Sequence, residues 1–343
     1  MEHMEGMSLK KLINSPENYV DETLEGLVLA YGDRLRFAET NKRVILRATT
    51  AKKGKVGIVT AGGFGHLPVF LGYVGENMLD GCAVGNVFAS PSARSMSEMI
   101  EACDNGAGVL CVFGNYGGDK MNLSIAREAA ELEGIRTEAV LVCDDVASSP
   151  PESAEKRRGV AGMVYAFKIA GAAAAQMRSL DEVKAVTARA LENIRTFGVA
   201  LSPCIVPQVG KPTFSINEDE MELGMGIHGE PGIQVCKMLS ADETADTVLS
   251  RLLEDMPLAA GEEVSVMING LGATPLEEQL IFYRRVHNVL SGMGVKIIMP
   301  HIGEYATSME MAGLSLTVFR LDEDTKALLR YPGDTPFYTN HNI

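Results

Sequence analysis

Two histidines and one aspartate stand in glycine-rich runs of this chain. His66 lies within Ala61-Gly62-Gly63-Phe64-Gly65-His66-Leu67-Pro68, Asp119 follows Gly114-Asn115-Tyr116-Gly117-Gly118, and His228 lies within Gly226-Ile227-His228-Gly229-Glu230-Pro231-Gly232. Glycine reaches φ > 0 and lets backbone approach a ligand, and Pro231 stiffens the exit of the third run, so its tip can hold an imidazole at a fixed angle. If the three loops converge, two imidazoles and a carboxylate provide acid–base work on a hydroxyl and covalent capture of a carbonyl. Each residue also fits a plainer role. Asp119 is placed to cap a helix, His66 could bond a carbonyl of its own turn, and His228 could be an exposed histidine in a tight turn.

Other chemistries fit less well. Gly224-Met225-Gly226-Ile227-His228-Gly229 has the dinucleotide spacing, but Glu230-Pro231-Gly232 blocks the helix which that fingerprint requires. Lys211 follows Gly210, yet Pro212 separates it from Thr213 and no glycine stands five residues before Gly210, so a P-loop is excluded. Metal binding lacks supporting ligand spacing. His287 falls on the stripe Leu276, Leu280, Tyr283, Leu290 and reads as a core histidine, and His301 stands at a strand end with nothing specific beside it. His3 and His341 lie in the terminal tails.

The elements that must position these loops follow from periodicity. Ser15-Pro16-Glu17 reads as an N-cap and first turn of a helix reaching about Tyr31. Strands are expected at Val44 to Arg47, Lys55 to Thr60, Ala83 to Val87, Gly108 to Phe113 and Thr137 to Cys143, with helices at Pro91 to Cys103 and Lys120 to Glu133. Such alternation means βαβ units and a largely parallel sheet, and the loops containing His66 and Asp119 follow strand ends, where open α/β sheets place ligands. An alanine-rich core helix is expected over Val160 to Gln176, then a helix capped by Ser179 and Glu182. The second half continues with Val199 to Val206, a strand Met221 to Ile227 leading into the His228 turn, a helix capped by Ser240 and Glu243, and Val264 to Asn269. Thr274-Pro275-Leu276-Glu277 is expected to cap another helix, before strands at Lys296 to Met299 and Ser315 to Arg320. The expected fold is therefore α/β in two domains, residues 1–190 with the His66 and Asp119 loops and residues 191–343 with the His228 turn.

At 343 residues the chain exceeds the usual size of one growing core. A formal charge of −14 argues against nucleic acid and anionic lipid heads as partners, and favours a neutral small molecule or a protein. The six cysteines are scattered, with no C-x-x-C pair, and read as buried reduced thiols. No secretory leader pattern opens the chain, so a cytoplasmic protein is expected.

The three loops, with Gly72-Tyr73-Val74-Gly75, Ser90-Pro91, Asp144-Asp145-Val146-Ala147, Arg157-Arg158-Gly159-Val160-Ala161, Val206-Pro207, Gly210-Lys211-Pro212 and Leu271-Gly272-Ala273-Thr274, resemble the dihydroxyacetone-binding subunit of dihydroxyacetone kinases, the DhaK family. The likeness runs from Leu9 to about Pro336. It implies that His228 forms a hemiaminal with a ketone carbon, which rejects glycerol, while His66 and Asp119 hold the terminal hydroxyl and take its proton during phosphoryl transfer. It also implies a ligand site formed by Gly63, Phe64, Gly65, His66, Gly114, Asp119 and His228, a homodimer, no cofactor on this chain, and ADP or ATP with magnesium on a separate DhaL-type subunit. A paralogue in that family is instead a ketose sensor that docks a transcription regulator. The family loops usually carry serine, glutamate, lysine and threonine where this chain has Phe64, Leu67, Gly114 and Gly117. Those changes are expected to remove two charges and two hydroxyls from the ligand's surroundings and to add an aromatic ring.

Overall fold

The computed structural model describes residues 10–340, so His3 and His341 lie outside it. The first half builds a six-stranded sheet from β1 (Leu35–Phe37), β2 (Val44–Arg47), β3 (Gly57–Phe64), β4 (Gly81–Val87), β5 (Val109–Gly114) and β6 (Thr137–Val142). Their order is β1-β2-β4-β3-β5-β6, with β4, β3, β5 and β6 parallel, while at one edge β2 pairs antiparallel with both β4 and β1. The parallel part needs helical crossovers, which α2 (Ala93–Cys103) and α3 (Gly117–Leu132) supply. Met96, Met99, Ile100 and Cys103 on α2 and Leu123, Ala126 and Ala130 on α3 recur at helical spacing and are buried on the same side of the sheet.

Helix α1 (Tyr19–Ala30) begins later than the Ser15-Pro16 signal predicts. Ser15 and Pro16 form a preceding turn, in which the Asn18 N–H donates to Ser15 Oγ at 3.3 Å.

The sheet's other side is covered by α4 (Gly162–Ala175), buried all round as its alanine-rich sequence predicts, and by α5 (Leu180–Leu191), opened by the Ser179–Glu182 capping box. Gly171 lets α4 lie close to its neighbour: a Cβ there would stand 2.4 Å from Met78 Cα.

The second sheet contains β7 (Ile194–Ser202), β8 (Glu220–Leu223), β9 (Gln234–Lys237), β10 (Glu263–Gly270), β11 (Lys296–Ile297), β12 (His301–Gly303) and β13 (Ala312–Arg320). It runs β11-β10-β13-β7-β8-β9, with β12 also against β10, and it is mixed, with antiparallel pairs along most of its width. Helices α6 (Ala241–Asp255) and α7 (Leu276–Gly292) pack against each other and over it. The Ser240–Glu243 capping box opens α6 as expected.

Two expectations for α7 fail. Thr274 does not cap it, because its hydroxyl donates to the Gly313 carbonyl at 2.6 Å. The buried face is Gln279, Phe282, Val286 and Leu290, whereas Leu276, Leu280 and His287 are exposed, so His287 is a surface residue. The cause is Gln279: it is buried with its amide donating to the Thr274 carbonyl at 2.9 Å, which turns the neighbouring leucines outward.

The two sheets meet at Asp144, just beyond β6. Its buried carboxylate accepts the N–H groups of Val160 and Gly162 at 2.8 and 2.7 Å and the Thr196 hydroxyl on β7. This contact fixes where the second sheet lies against the loops of the first. All six cysteines are free, four of them buried and Cys143 and Cys236 partly exposed.

Candidate functional site

Strand β3 runs four residues further than expected, through Phe64, and delivers the first loop directly from the sheet. Gly65 turns there with φ +106°, where a Cβ would meet the Phe88 ring at 2.9 Å. His66 follows and is fully buried. Its partner is not in its own turn: Nδ1 lies 2.8 Å from the Thr307 carbonyl, 241 residues away. Thr307 and Met309 also donate backbone N–H groups to His66 and Gly65, so this distant segment clamps the loop. A carbonyl only accepts, so Nδ1 carries the proton and Nε2 presents a lone pair. That Nε2 is buried and has no protein partner. Burial, and then the nearby His228, push the His66 pKa down to about 3, so the ring is neutral at physiological pH.

The second loop leaves β5 at Gly114. The Asn115 side chain donates to the carbonyls of Glu155 and Arg157, and the Tyr116 hydroxyl to that of Gly159 at 3.0 Å. Asp119 is the third residue of α3 and caps nothing; its carboxylate accepts the Ser90 hydroxyl. Burial raises its pKa, opposed by Ser90 and by the charge of His228.

The third loop begins where β8 stops at Leu223, earlier than the expected strand end at Ile227. Gly224 at φ +81° starts the departure, and the Gly229 N–H closes a turn on the Gly226 carbonyl at 3.0 Å with φ +79° at Gly229. Glu230 folds back over this turn. One carboxylate oxygen accepts the His228 backbone N–H at 2.9 Å, and the other lies 2.8 Å from His228 Nδ1. Burial alone would raise the Glu230 carboxyl, but the hydrogen bonds and charge of His228 hold it at about 2. An ionised carboxylate only accepts, so His228 Nδ1 carries a proton whether or not the ring is charged, and in the neutral ring Nε2 holds the lone pair.

These loops converge. The His228 ring is walled by His66, Tyr116 and Phe88, with centroids 4.7, 4.9 and 5.2 Å away and each ring nearly perpendicular to it. Phe88 also stacks on His66 at 4.9 Å and 16°. Asp119 is near enough for its charge to interact with His228. The arrangement therefore brings together two imidazoles in ring contact and, within range of their charge, one carboxylate of raised pKa.

One sequence expectation is corrected here. The ring of Phe64 does not join the wall around His228; it is buried and packs edge-on against Tyr19 at 5.8 Å. The aromatic residue beside both imidazoles is Phe88. Leu67, with Phe64, Tyr19, Glu304 and Met309, lines a separate cavity of about 330 Å³. Gly114 is crowded, since a Cβ would stand 3.0 Å from the Tyr116 ring, whereas a Cβ on Gly117 would meet nothing within 4 Å.

Phe88, Glu230 and Thr307 were not singled out from the sequence, and Ser90 was noted only within a family motif. Phe88 and Ser90 follow β4, a further parallel strand end, and Glu230 stands two residues from His228, so both signals were present. Thr307 is supplied by tertiary contact and had no local signal.

Fold and site together define an α/β protein whose strand-end loops bring two imidazoles into contact, and a Dak1 domain model matches residues 25–337. The chain belongs to the dihydroxyacetone kinase family as a DhaK-like, Dak1-domain protein. It is 46% identical over 330 residues to the PTS-dependent dihydroxyacetone kinase 2 dihydroxyacetone-binding subunit DhaK of Listeria innocua, covering 96% of this chain and 99% of that one. It is 42% identical to the L-erythrulose kinase of Pectobacterium atrosepticum, covering 95% of this chain and 56% of that protein. The solved dihydroxyacetone kinase operon co-activator Dha-DhaQ superposes with a TM-score of 0.87 at 31% identity, covering 93% and 98% of the two chains. Among the described residues, no helix is long and apolar enough to cross a membrane.

Proposed function

We propose that this chain is the substrate-binding subunit of a kinase for dihydroxyacetone or a related short ketose, and that His228 Nε2 captures the ketone covalently. The observation that carries this reading is the pair of fixed tautomers. Glu230 leaves the His228 Nε2 lone pair free to attack, and Thr307 leaves His66 Nε2 free to accept a hydroxyl, with the two rings in contact.

In the capture step the Nε2–carbon bond forms as the carbonyl π bond breaks. The Nδ1 proton passes to Glu230, which releases it to solvent, and the new alkoxide takes up one proton from solvent, so that a neutral hemiaminal results with no net change in protons. A polyol without a carbonyl cannot make this bond. His66 Nε2 first accepts a hydrogen bond from the ligand's terminal hydroxyl, and that single proton then turns to Asp119, whose raised pKa makes it a better base, as the oxygen attacks the phosphoryl donor. The donor is a nucleotide with magnesium on a DhaL-type partner subunit, and the binding subunit is a homodimer in a cytoplasmic complex. The similarity to the Listeria innocua dihydroxyacetone-binding subunit supports the substrate-binding role, and the resemblance to L-erythrulose kinase supports a four-carbon ketose as the alternative substrate.

A second reading is favoured by the superposition on the co-activator: a non-catalytic ketose sensor that docks a transcription regulator. Native mass spectrometry with dihydroxyacetone, erythrulose and glycerol tests the capture, and a coupled assay with partner and donor tests turnover. We expect adducts with the ketoses only, abolished in His228→Ala. No adduct with any short ketose overturns the capture, and capture without turnover favours the sensor.

A further inference from the structure

The three functional side chains come from two different sheets: His66 and Asp119 from the first, His228 from a loop of the second. One side chain spans that junction beside the histidine turn. Arg158, in the segment between β6 and α4, is mostly buried, and Asp145 beside it almost wholly so. Its Nε and Nη2 donate to Asp145 Oδ2 at 2.8 and 2.7 Å. Nη2 also donates to the Gly224 carbonyl, at the root of the His228 turn, at 3.0 Å. Its backbone is held as well, with the Arg158 N–H on Ser148 Oγ at 3.0 Å and the Arg158 carbonyl accepting the Asp145 N–H at 3.2 Å.

The third guanidinium nitrogen reaches the turn itself. A Cβ on Gly226 would lie 2.6 Å from Arg158 Nη1 and 2.2 Å from Glu230 Oε2, so the cation and the carboxylate press on the same bare face of Gly226. Glu230 is the residue that orients His228. We propose that Arg158 is a positioning residue for the ketose-capturing histidine: anchored on Asp145 of the first half, it fixes the Gly224–Gly226 backbone over which the Glu230 carboxylate folds, and through that backbone the angle at which His228 Nε2 faces His66. It touches neither substrate nor reacting atoms. The planar fork is what allows one side chain to hold a carboxylate and a carbonyl together, which a lysine point charge does less well.

This inference rests on the capture reading for its function, and its test separates the two. Wild type, Arg158→Met and Arg158→Lys are compared by the dihydroxyacetone concentration that half-saturates the native-mass adduct, and by the histidine nitrogen NMR spectrum, which reports the protonated nitrogen of His228 without any ligand. We expect folded variants whose half-saturation rises by roughly tenfold or more, with lysine restoring only part of the loss. We also expect the His228 signal to change from a single Nδ1–H tautomer to a mixture. A folded variant with wild-type capture and an unchanged His228 signal overturns the proposal. Unfolding of both variants also overturns it, since it assigns Arg158 to the fold alone. If wild type forms no adduct, the capture reading falls, and the nitrogen spectrum decides alone whether Arg158 positions His228.

Discussion

The imidazoles of His66 and His228 meet edge to face, with centroids 4.7 Å apart and planes at 86°, although the two residues stand 162 positions apart and are carried by different sheets. Each ring has its Nδ1 proton fixed by a different acceptor, the Thr307 carbonyl for one and the Glu230 carboxylate for the other. In the proposed capture the two equivalent groups then have unequal tasks, a buried acceptor and a nucleophile.

Those tasks are separable by one substitution. In His66→Asn the side-chain amide can still donate to the Thr307 carbonyl, in place of Nδ1, while the Nε2 acceptor is deleted. The expected outcome is retained ketose capture and a fall in kcat of roughly 100-fold, the usual scale for losing the group that orients a reacting hydroxyl. Adduct mass and steady-state turnover measured on the same preparation check this.

Glu230→Gln acts on the other ring. The carboxylate accepts from both His228 Nδ1 and the His228 backbone N–H, and an amide cannot accept at both its ends. A charge-assisted hydrogen bond is worth about 1.5–3 kcal/mol, so capture should weaken by roughly 10- to 100-fold. Because the wild-type carboxyl is held at about 2, its own protonation does not limit capture near neutral pH. A ketose titration of the variant, followed by native mass, checks the weakening.

The general position of this site was legible because chemistry-bearing residues in glycine-rich runs followed predicted strand ends, and parallel strands direct their C-terminal loops to one edge. His66 and Asp119 follow β3 and β5 in that way. The clamp on His66 was not legible, because Thr307 approaches from a segment with no periodic pattern. The added aromatic was placed wrongly because alternation decides sides: Phe64 and the loop glycines lie at the strand's end, and Phe64 turns into the core towards Tyr19. The buried face of α7 was hidden for a similar reason, since a glutamine held inside by one amide bond to Thr274, with its Oε1 unpartnered, carries no hydrophobic signal.

Ser90 should set the pH at which Asp119 works. Burial raises the Asp119 carboxyl, and the Ser90 hydroxyl, donating to the ionised form, lowers it. Removing that donor in Ser90→Ala favours the protonated form and raises the pKa further. A base must be ionised to accept a proton, so activity is lost as pH falls through that pKa, and the acidic limb of kcat should move to higher pH in the variant. The alkaline side should stay in place. A kcat–pH profile of the two proteins with partner and donor supplied decides it, and an unmoved acidic limb removes Asp119 from the role of base.

The glycines at 62, 114 and 117 differ in what they tolerate, and the difference tests how the site acquired its present shape. A Cβ at position 62 would overlap the buried Phe70 ring at 2.0 Å, so Gly62→Ala should cost about 1–3 kcal/mol through overpacking and lower the melting temperature. At position 114 the Cβ would press on Tyr116 at 3.0 Å and on Met163 Sδ at 3.2 Å, so a lysine there must displace the ring that walls His228. Gly114→Lys is therefore expected to weaken capture even though it restores the residue usual in the family. Position 117 is exposed, with nothing within 4 Å of a Cβ, and its backbone is helical. Gly117→Thr should leave stability within about 0.5 kcal/mol, as surface substitutions usually do. Its hydroxyl stands on the exposed surface, off the helix face that carries Asp119, so ketose half-saturation should stay within about twofold of wild type. Thermal melts and ketose titrations of the three variants check the order, and a Gly114→Lys protein that binds more tightly than Gly117→Thr would show that the Tyr116 ring can yield.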